Sequence, residues 1–341
     1  MSTQPGSRDG RAETGRLNAP FVGIPTFLRS ALCTDLGQLD ADVAVLGVPT
    51  DEGSPFLPGS RFGARAIREQ SLRFGAGGRG YYDPTLKRRF LEHEVSQGRI
   101  VDVGDADILP TNVEQSFANI TEMTRQVLER GALPVVLGGD HAISYPVVRA
   151  YSEPLHVVHF DAHMDYVPFF HGMTMTNATS MRQAAMLAHV KSITEIGIRS
   201  LRVMEEEMLD ARKDGTRVVT MEEYLDLGVR GLVDSLPRDA KVYVTIDIDV
   251  LDMSLIPGCV SGEPNGMSYA MLRDTLSALA EQVEIVGFDL AEVNPLLDVG
   301  TNPTSYLAAH TILEFLGRIC DQPRWVSQRD ARAARRASQQ R

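Results

Sequence analysis

The chain has 341 residues, 43% hydrophobic and 23% charged, which is ordinary globular usage with enough apolar material for a large core. A formal net charge of -11 argues against nucleic acid or an anionic membrane as partner, because both polyanions select basic surfaces; a small cation is better matched. Cys33, Cys259 and Cys320 are too few and too scattered for a disulfide framework or a thiolate zinc knot, and no signal-peptide core or bilayer-length apolar run is present, so a cytoplasmic location is expected.

Residues 1–18 are rich in Ser, Gly and charge and are expected to form a mobile arm ahead of one folded domain over 19–327. Within that domain, short apolar runs rich in Val and Ile begin at Asp42, Arg99, Leu133, Leu155, Ser192, Thr216, Lys241 and Glu284. Their continuous rather than alternating apolar character implies burial on both faces. Stretches of helical spacing start at Ser60, Val113 and Ser268, and the second closes at Gly131. The pattern predicts an α/β three-layer sandwich around a central, mainly parallel eight-stranded sheet. The basic segment 328–341 reads as a solvated helix or frayed tail, or as a contact arm for a neighbouring subunit.

In such sheets ligands gather at the carboxyl ends of the strands. Here the driest runs lead into Asp140 and His141, into Asp161, His163 and Asp165, into Asp247, Asp249 and Asp252, and into Asp289 and Glu292. On an extended chain Asp161, His163 and Asp165 share one side, as do Asp247 and Asp249. So many anions at one rim would repel until some took up protons, and a bound cation removes the conflict. Oxygen and imidazole donors without thiolate suit Mn²⁺, Ni²⁺, Co²⁺ or Zn²⁺. Six such ligands exceed what one open catalytic ion takes from protein, so a pair of ions sharing carboxylates is expected. His159, inside a buried strand, and His310, in a helical apolar run, read as satisfied core residues.

Taken in order, PGSRFGARAIRE from Pro58, LGGDHAISYP from Leu137, HFDAHMD from His159, IDIDVLD from Ile246 and GFDLAEVNP from Gly287 make the chain resemble the ureohydrolases, which include arginase, agmatinase and guanidinobutyrase. The resemblance implies two Mn²⁺ or Ni²⁺ ions per chain and cleavage of a carbon–nitrogen bond in a guanidino or biguanide compound. It implies assembly as a trimer or as a homo- or hetero-hexamer, a paralogous sister subunit being one form. By the same resemblance, His141 and Asp165 complete one metal site and His163 and Asp249 the other, with Asp161 and Asp247 bridging. His171 would relay protons and Glu292 would pair with the guanidinium, so His171, Glu292 and Asp165 form the candidate catalytic set.

The chemistry agrees with those roles. A guanidinium carbon is a poor electrophile that a carboxylate must hold in line, and the leaving amine needs a proton that an imidazole can deliver. Two loops depart from the agmatinase pattern: HGMTMTNATSMRQA from His171, and the stretch from Asp252, where Met253 replaces a proline and Cys259 to Glu263 replace a Thr-Gly-Thr element. Met173, Met175 and Met181 with Tyr166, Phe169 and Phe170 are expected to shorten or line the pocket. That favours guanidine or a metformin-like biguanide beside agmatine and guanidinobutyrate. A zinc deacetylase of the same fold and a catalytically silent sister subunit are the alternatives.

Overall fold

The structure is a computed structural model and describes residues 19–74, 78–238 and 240–339. The expected arm over 1–18 lies outside the described residues. The strands are β1 (Ala31–Leu32), β2 (Val43–Gly47), β3 (Tyr81–Asp83), β4 (Arg88–Phe90), β5 (Ile100–Asp105), β6 (Leu133–Leu137), β7 (Leu155–Phe160), β8 (Val190–Ile198), β9 (Arg217–Thr220), β10 (Lys241–Asp247) and β11 (Glu284–Ala291). Nine of them form one sheet in the order β1-β5-β2-β6-β11-β10-β7-β8-β9, with every neighbouring pair parallel.

All eight apolar runs are strands of this sheet. The ninth, β1, is a two-residue edge that pairs Ala31 with Val101 and Leu32 with Asp102. It is too short to carry a periodic signal. Strands β3 and β4 make a separate antiparallel hairpin.

Alternation along the strands divides the apolar residues between two cores. Val43, Val45, Val135, Leu137, Val244 and Ile246 face one layer, where Ile67, Leu272, Leu279 and Ile312 meet them from helices 63–71, 269–282 and 303–320. Ala44, Leu46, Val136, Val157 and Tyr243 face the other, against Phe117, Ile120 and Val127 of helix 113–129. Strands covered on both faces need no polar side, which is why the runs carried none. The Asn112 and Ser268 side chains cap helices 113–129 and 269–282, and Gly131 follows the former at φ +71°.

Two ionic clamps fix the layers. Arg68, 6% exposed on helix 63–71, binds both oxygens of Asp102 at 2.8 and 3.0 Å and the Gly104 carbonyl at 2.8 Å. The basic segment from Gln328 continues a helix that starts at Pro323 and runs to Gln339, across residue 327. It lies on its own chain: Arg332 and Arg336 reach the buried Asp42 at 3.0 and 3.2 Å, and Trp325 donates its indole N–H to Glu94 at 3.1 Å. Among the described residues no helix is long and apolar enough to cross a membrane.

Candidate metal centre

Strands β6, β11, β10 and β7 lie side by side in the sheet, and the segments leaving their carboxyl ends build one site. After β6 the chain must pass tightly: a Cβ on Gly138 would stand 2.9 Å from the Leu290 carbonyl oxygen, and one on Gly139 would strike the Thr50 carbonyl. Asp140 then caps the turn His141–Ile143, accepting the Ala142 and Gly53 amides at 3.2 and 2.7 Å, so its carboxylate is spent on backbone and stays out of the cluster. Asp252 is likewise a cap, for the turn Met253–Leu255.

The remaining strand-end residues converge. His141 Nδ1 lies 2.9 Å from Asp161 Oδ2, 3.1 Å from Asp165 and 3.3 Å from Asp247. His163 Nδ1 lies 3.2 Å from Asp161 Oδ1 and 3.1 Å from Asp249. The two oxygens of Asp161 thus face different imidazoles. The convergence does not arise from extended alternation, as expected from the spacing. Asp161 already lies beyond β7, Asp165 has a left-handed backbone at φ +50°, and Asp249 sits in the turn Ile248–Val250, where its own amide donates to Asp247 at 2.8 Å.

Other residues hold the imidazoles in place. Tyr243 and Thr245 both donate hydroxyl protons to the buried Asp289, at 2.6 and 2.7 Å, which makes Thr245 an acceptor for His141 Nε2 at 2.7 Å. His141 then donates Nε2–H to Thr245 and turns Nδ1 to the carboxylates, which it meets as a second N–H donor unless a cation takes that lone pair. Asp289, one of the strand-end acids, orients the site from behind. His159 is fully buried as expected, but its Nε2 meets Asp161 Oδ2 at 2.9 Å, so it forms the back wall of the site. Cys259, which the sequence marked only as a loop change, comes within ligand reach of Asp247 and Asp249, its thiol pushed up by burial and by those charges.

Electrostatics tests whether cations fit. Asp161, Asp165, Asp247 and Asp249 are all buried, at most 7% exposed. Burial raises the Asp247 carboxyl well above the usual range, and the charges of Asp249 and Asp161 raise it further; burial and Asp161 raise Asp165. Asp161 goes the other way: burial opposes its charge, but hydrogen bonds from His141, His159 and His163 outweigh it. Such a cluster needs positive charge from somewhere. Its oxygen and nitrogen donors form one group of His141, His159, Asp161 and Asp165 and another of Asp161, His163 and Asp249, each with ligand atoms within 4.8 Å of one another, and these share Asp161. The donor set suits a pair of divalent ions.

Glu292 is brought to this site, 2% exposed, with Oε1 accepting the His141 amide at 2.9 Å and the Asn177 side chain at 3.3 Å. Burial pushes its carboxyl up to about 7. A cavity of about 210 Å³ opens onto the cluster, with Phe56, Asn177, Arg202, Val203, Glu207 and Glu292 in its wall.

His171 does not line this cavity. It is exposed, at φ +52°, in a turn that Met173 closes onto Phe170. The expected apolar lining is corrected too. Tyr166 and Met181 are buried in the core and Met175 packs against it, while Phe169, Phe170 and Met173 are exposed, so none of the six meets the cavity. His310 is half-buried on the opposite layer, hydrogen-bonded to Tyr269.

Comparison with known proteins agrees with the geometry. The arginase family model matches residues 41–317. The chain is 34% identical over 311 residues to guanidinopropionase of Pseudomonas aeruginosa, covering 87% of this chain and 92% of that protein. It is 33% identical to agmatinase of Bacillus subtilis, covering 81% and 91%. Among solved structures, proclavaminate amidino hydrolase from Streptomyces clavuligerus superposes with a TM-score of 0.77 at 30% identity, over 88% of this chain and 98% of that one. Fold and site thus define a hydrolase acting on carbon–nitrogen bonds in linear amidines. The chain belongs to the arginase family, in its agmatinase-like branch, and is an amidinohydrolase of guanidino compounds.

Proposed function

We propose that the protein hydrolyses a small guanidino compound to urea and an amine, with a pair of divalent ions held by His141, Asp161, His163, Asp165, Asp247 and Asp249. The observation that carries the reading is the placement of Asp161, one oxygen toward His141 and the other toward His163, with Asp247 3.3 Å from His141 and within ligand reach of Asp249. Asp161 and Asp247 would then serve both ions, His141 and Asp165 one of them, and His163 and Asp249 the other. Mn²⁺ or Ni²⁺ in that position supplies the Lewis acidity that lets water act as a nucleophile near neutral pH.

The chain's own groups supply binding and orientation. Glu292 fixes the guanidinium by a charge-assisted hydrogen bond, since both its protein contacts end on Oε1 and leave Oε2 for a ligand. Asn177, which donates to the same Oε1, keeps that carboxylate turned toward the cavity. Phe56 and Val203 in the wall limit water around the bound guanidinium, which strengthens its pairing with Glu292. The small cavity favours short substrates: guanidine, guanidinobutyrate, agmatine and a metformin-like biguanide all belong to the class. Assembly as a trimer or hexamer, alone or with a sister chain, and a cytoplasmic location belong to the same proposal.

The test is release of urea, guanylurea or ammonia from guanidine, agmatine, guanidinobutyrate, arginine and metformin after loading with Mn²⁺ or Ni²⁺. Turnover of at least one at an enzymic rate is expected. A loaded protein that turns over none of them contradicts the reading.

A further inference from the structure

Among the described residues that line the cavity, Arg202 is the only arginine or lysine. It follows β8, and its loop is held from below. Arg199 donates to the carbonyls of Asp249, Leu251, Glu263 and Pro264 at 2.7–3.1 Å, which ties the segment to the loop after β10. Above that anchor, Glu263 Oε1 accepts from Ser200 at 2.7 Å and from Arg202 Nη2 at 3.0 Å. The Arg202 side chain is 61% exposed, whereas Glu292 is 2% exposed, so the cavity has an acid at its floor and a guanidinium at its mouth.

We propose that Arg202 binds a carboxylate on the substrate's tail, so that the preferred substrates are guanidino acids rather than guanidino amines. This rests on the amidinohydrolase reading of the same site. A ligand with a guanidinium at one end and a carboxylate at the other matches both charges. An aminoalkyl tail would bring ammonium against guanidinium.

The hydrogen bonding of Arg202 points the same way. Its Nη2 lies 2.6 Å from His163 Nε2, a contact that works only while Nε2 accepts, because a guanidinium has donors alone. Nδ1 of the same ring faces Asp161 and Asp249. The other protein contacts of Arg202 end on Nε and Nη2, at Glu263 Oε1 and the Ser261 carbonyl, which leaves Nη1 to bind a substrate carboxylate by a charge-assisted hydrogen bond. Glu263 pairs with one side of this guanidinium at 3.0 Å, and the other acid at the mouth, Glu207, is turned to backbone, accepting the Met204 amide at 3.0 Å.

The experiment compares 4-guanidinobutyrate, butylguanidine and agmatine, which share a guanidinium and a short chain and differ in tail charge. Wild-type protein is expected to prefer the acid. In R202A the kcat/KM ratio of 4-guanidinobutyrate to butylguanidine should fall about ten- to hundredfold, mostly through KM, the range of a charged hydrogen bond. R202K should restore part of it, and R202E should shift preference toward agmatine. A second readout needs no turnover: calorimetric binding of 4-aminobutyrate, the amine product, should weaken in R202A by a similar factor. An unchanged ratio and unchanged 4-aminobutyrate binding overturn the role of Arg202 while leaving the amidinohydrolase reading intact. Absence of urea from all three substrates overturns both.

Discussion

Replacing Glu292 with glutamine separates substrate binding from metal binding. The amide is isosteric and keeps Oε1 as the acceptor for the His141 amide and the Asn177 side chain, so the local structure and both donor groups around Asp161 should persist. What changes is the other terminal atom, from a charged acceptor to an N–H₂ donor facing a guanidinium that also only donates. A charge-assisted hydrogen bond contributes roughly 1.5–3 kcal/mol, and leaving the cation unpaired in a site this buried roughly doubles that. The expected loss in kcat/KM is therefore on the order of a hundred- to ten-thousandfold, read by urea release at saturating metal, with ion content per chain unchanged from wild type. Activity within about tenfold of wild type at full metal content would refute the guanidinium-binding role. A drop in metal content would refute the separation of the two functions.

Two further perturbations probe the scaffold. Arg68→Met leaves Asp102, 1% exposed, without its cation and should cost about 3–5 kcal/mol, read as a fall in Tm of roughly 6–10 °C, since a large domain shifts about 2 °C per kcal/mol; a loss under about 1 kcal/mol would contradict the clamp. Glu195 is fully buried with both carboxylate oxygens unpartnered, and burial with the charges of Asp165 and Asp161 raises its carboxyl well above the usual range. A raised folded value means stability that is present below the unfolded value of about 4.3 and lost as pH rises, so Glu195→Gln should raise Tm at pH 8 and change it little near pH 4. A larger gain at the acid end would reverse the sign and discard the explanation.

The nine-stranded sheet was largely legible because strands buried on both faces advertise themselves as unbroken Val and Ile runs. β1 and the β3–β4 hairpin are too short to show a period, the first having two residues and the second two strands of three, Tyr81–Asp83 and Arg88–Phe90. Acids after buried strands located the site, yet the text could not tell a cap from a cluster member. Asp140 and Asp252 spend their oxygens on backbone amides, and Asp289 on Tyr243 and Thr245. That distinction depends on turns of a few residues whose dihedral angles the composition does not fix.

Loop conformation explains the remaining differences. Spacing placed His171 and the Met and Phe residues near Asp165 in sequence, but left-handed backbone at Asp165, His171 and Gly172 redirects the chain so that they divide between core and surface. Arg202 and Cys259 come from loops after β8 and β10, distant in sequence from one another and without a motif of their own. A charged residue three positions beyond a strand-end glycine–isoleucine–arginine, as at Gly197 to Arg202, is the signal that would have drawn attention to the cavity mouth.

The dinuclear account is tested most directly by counting ions. Elemental analysis of wild-type protein loaded with Mn²⁺ or Ni²⁺ and desalted should give about two ions per chain, as expected of a centre whose donor groups share carboxylates, and Asp161→Ala should lose most of both together, because that residue faces both imidazoles. A wild-type chain that holds one ion, or an Asp161→Ala chain that still holds two, would contradict it.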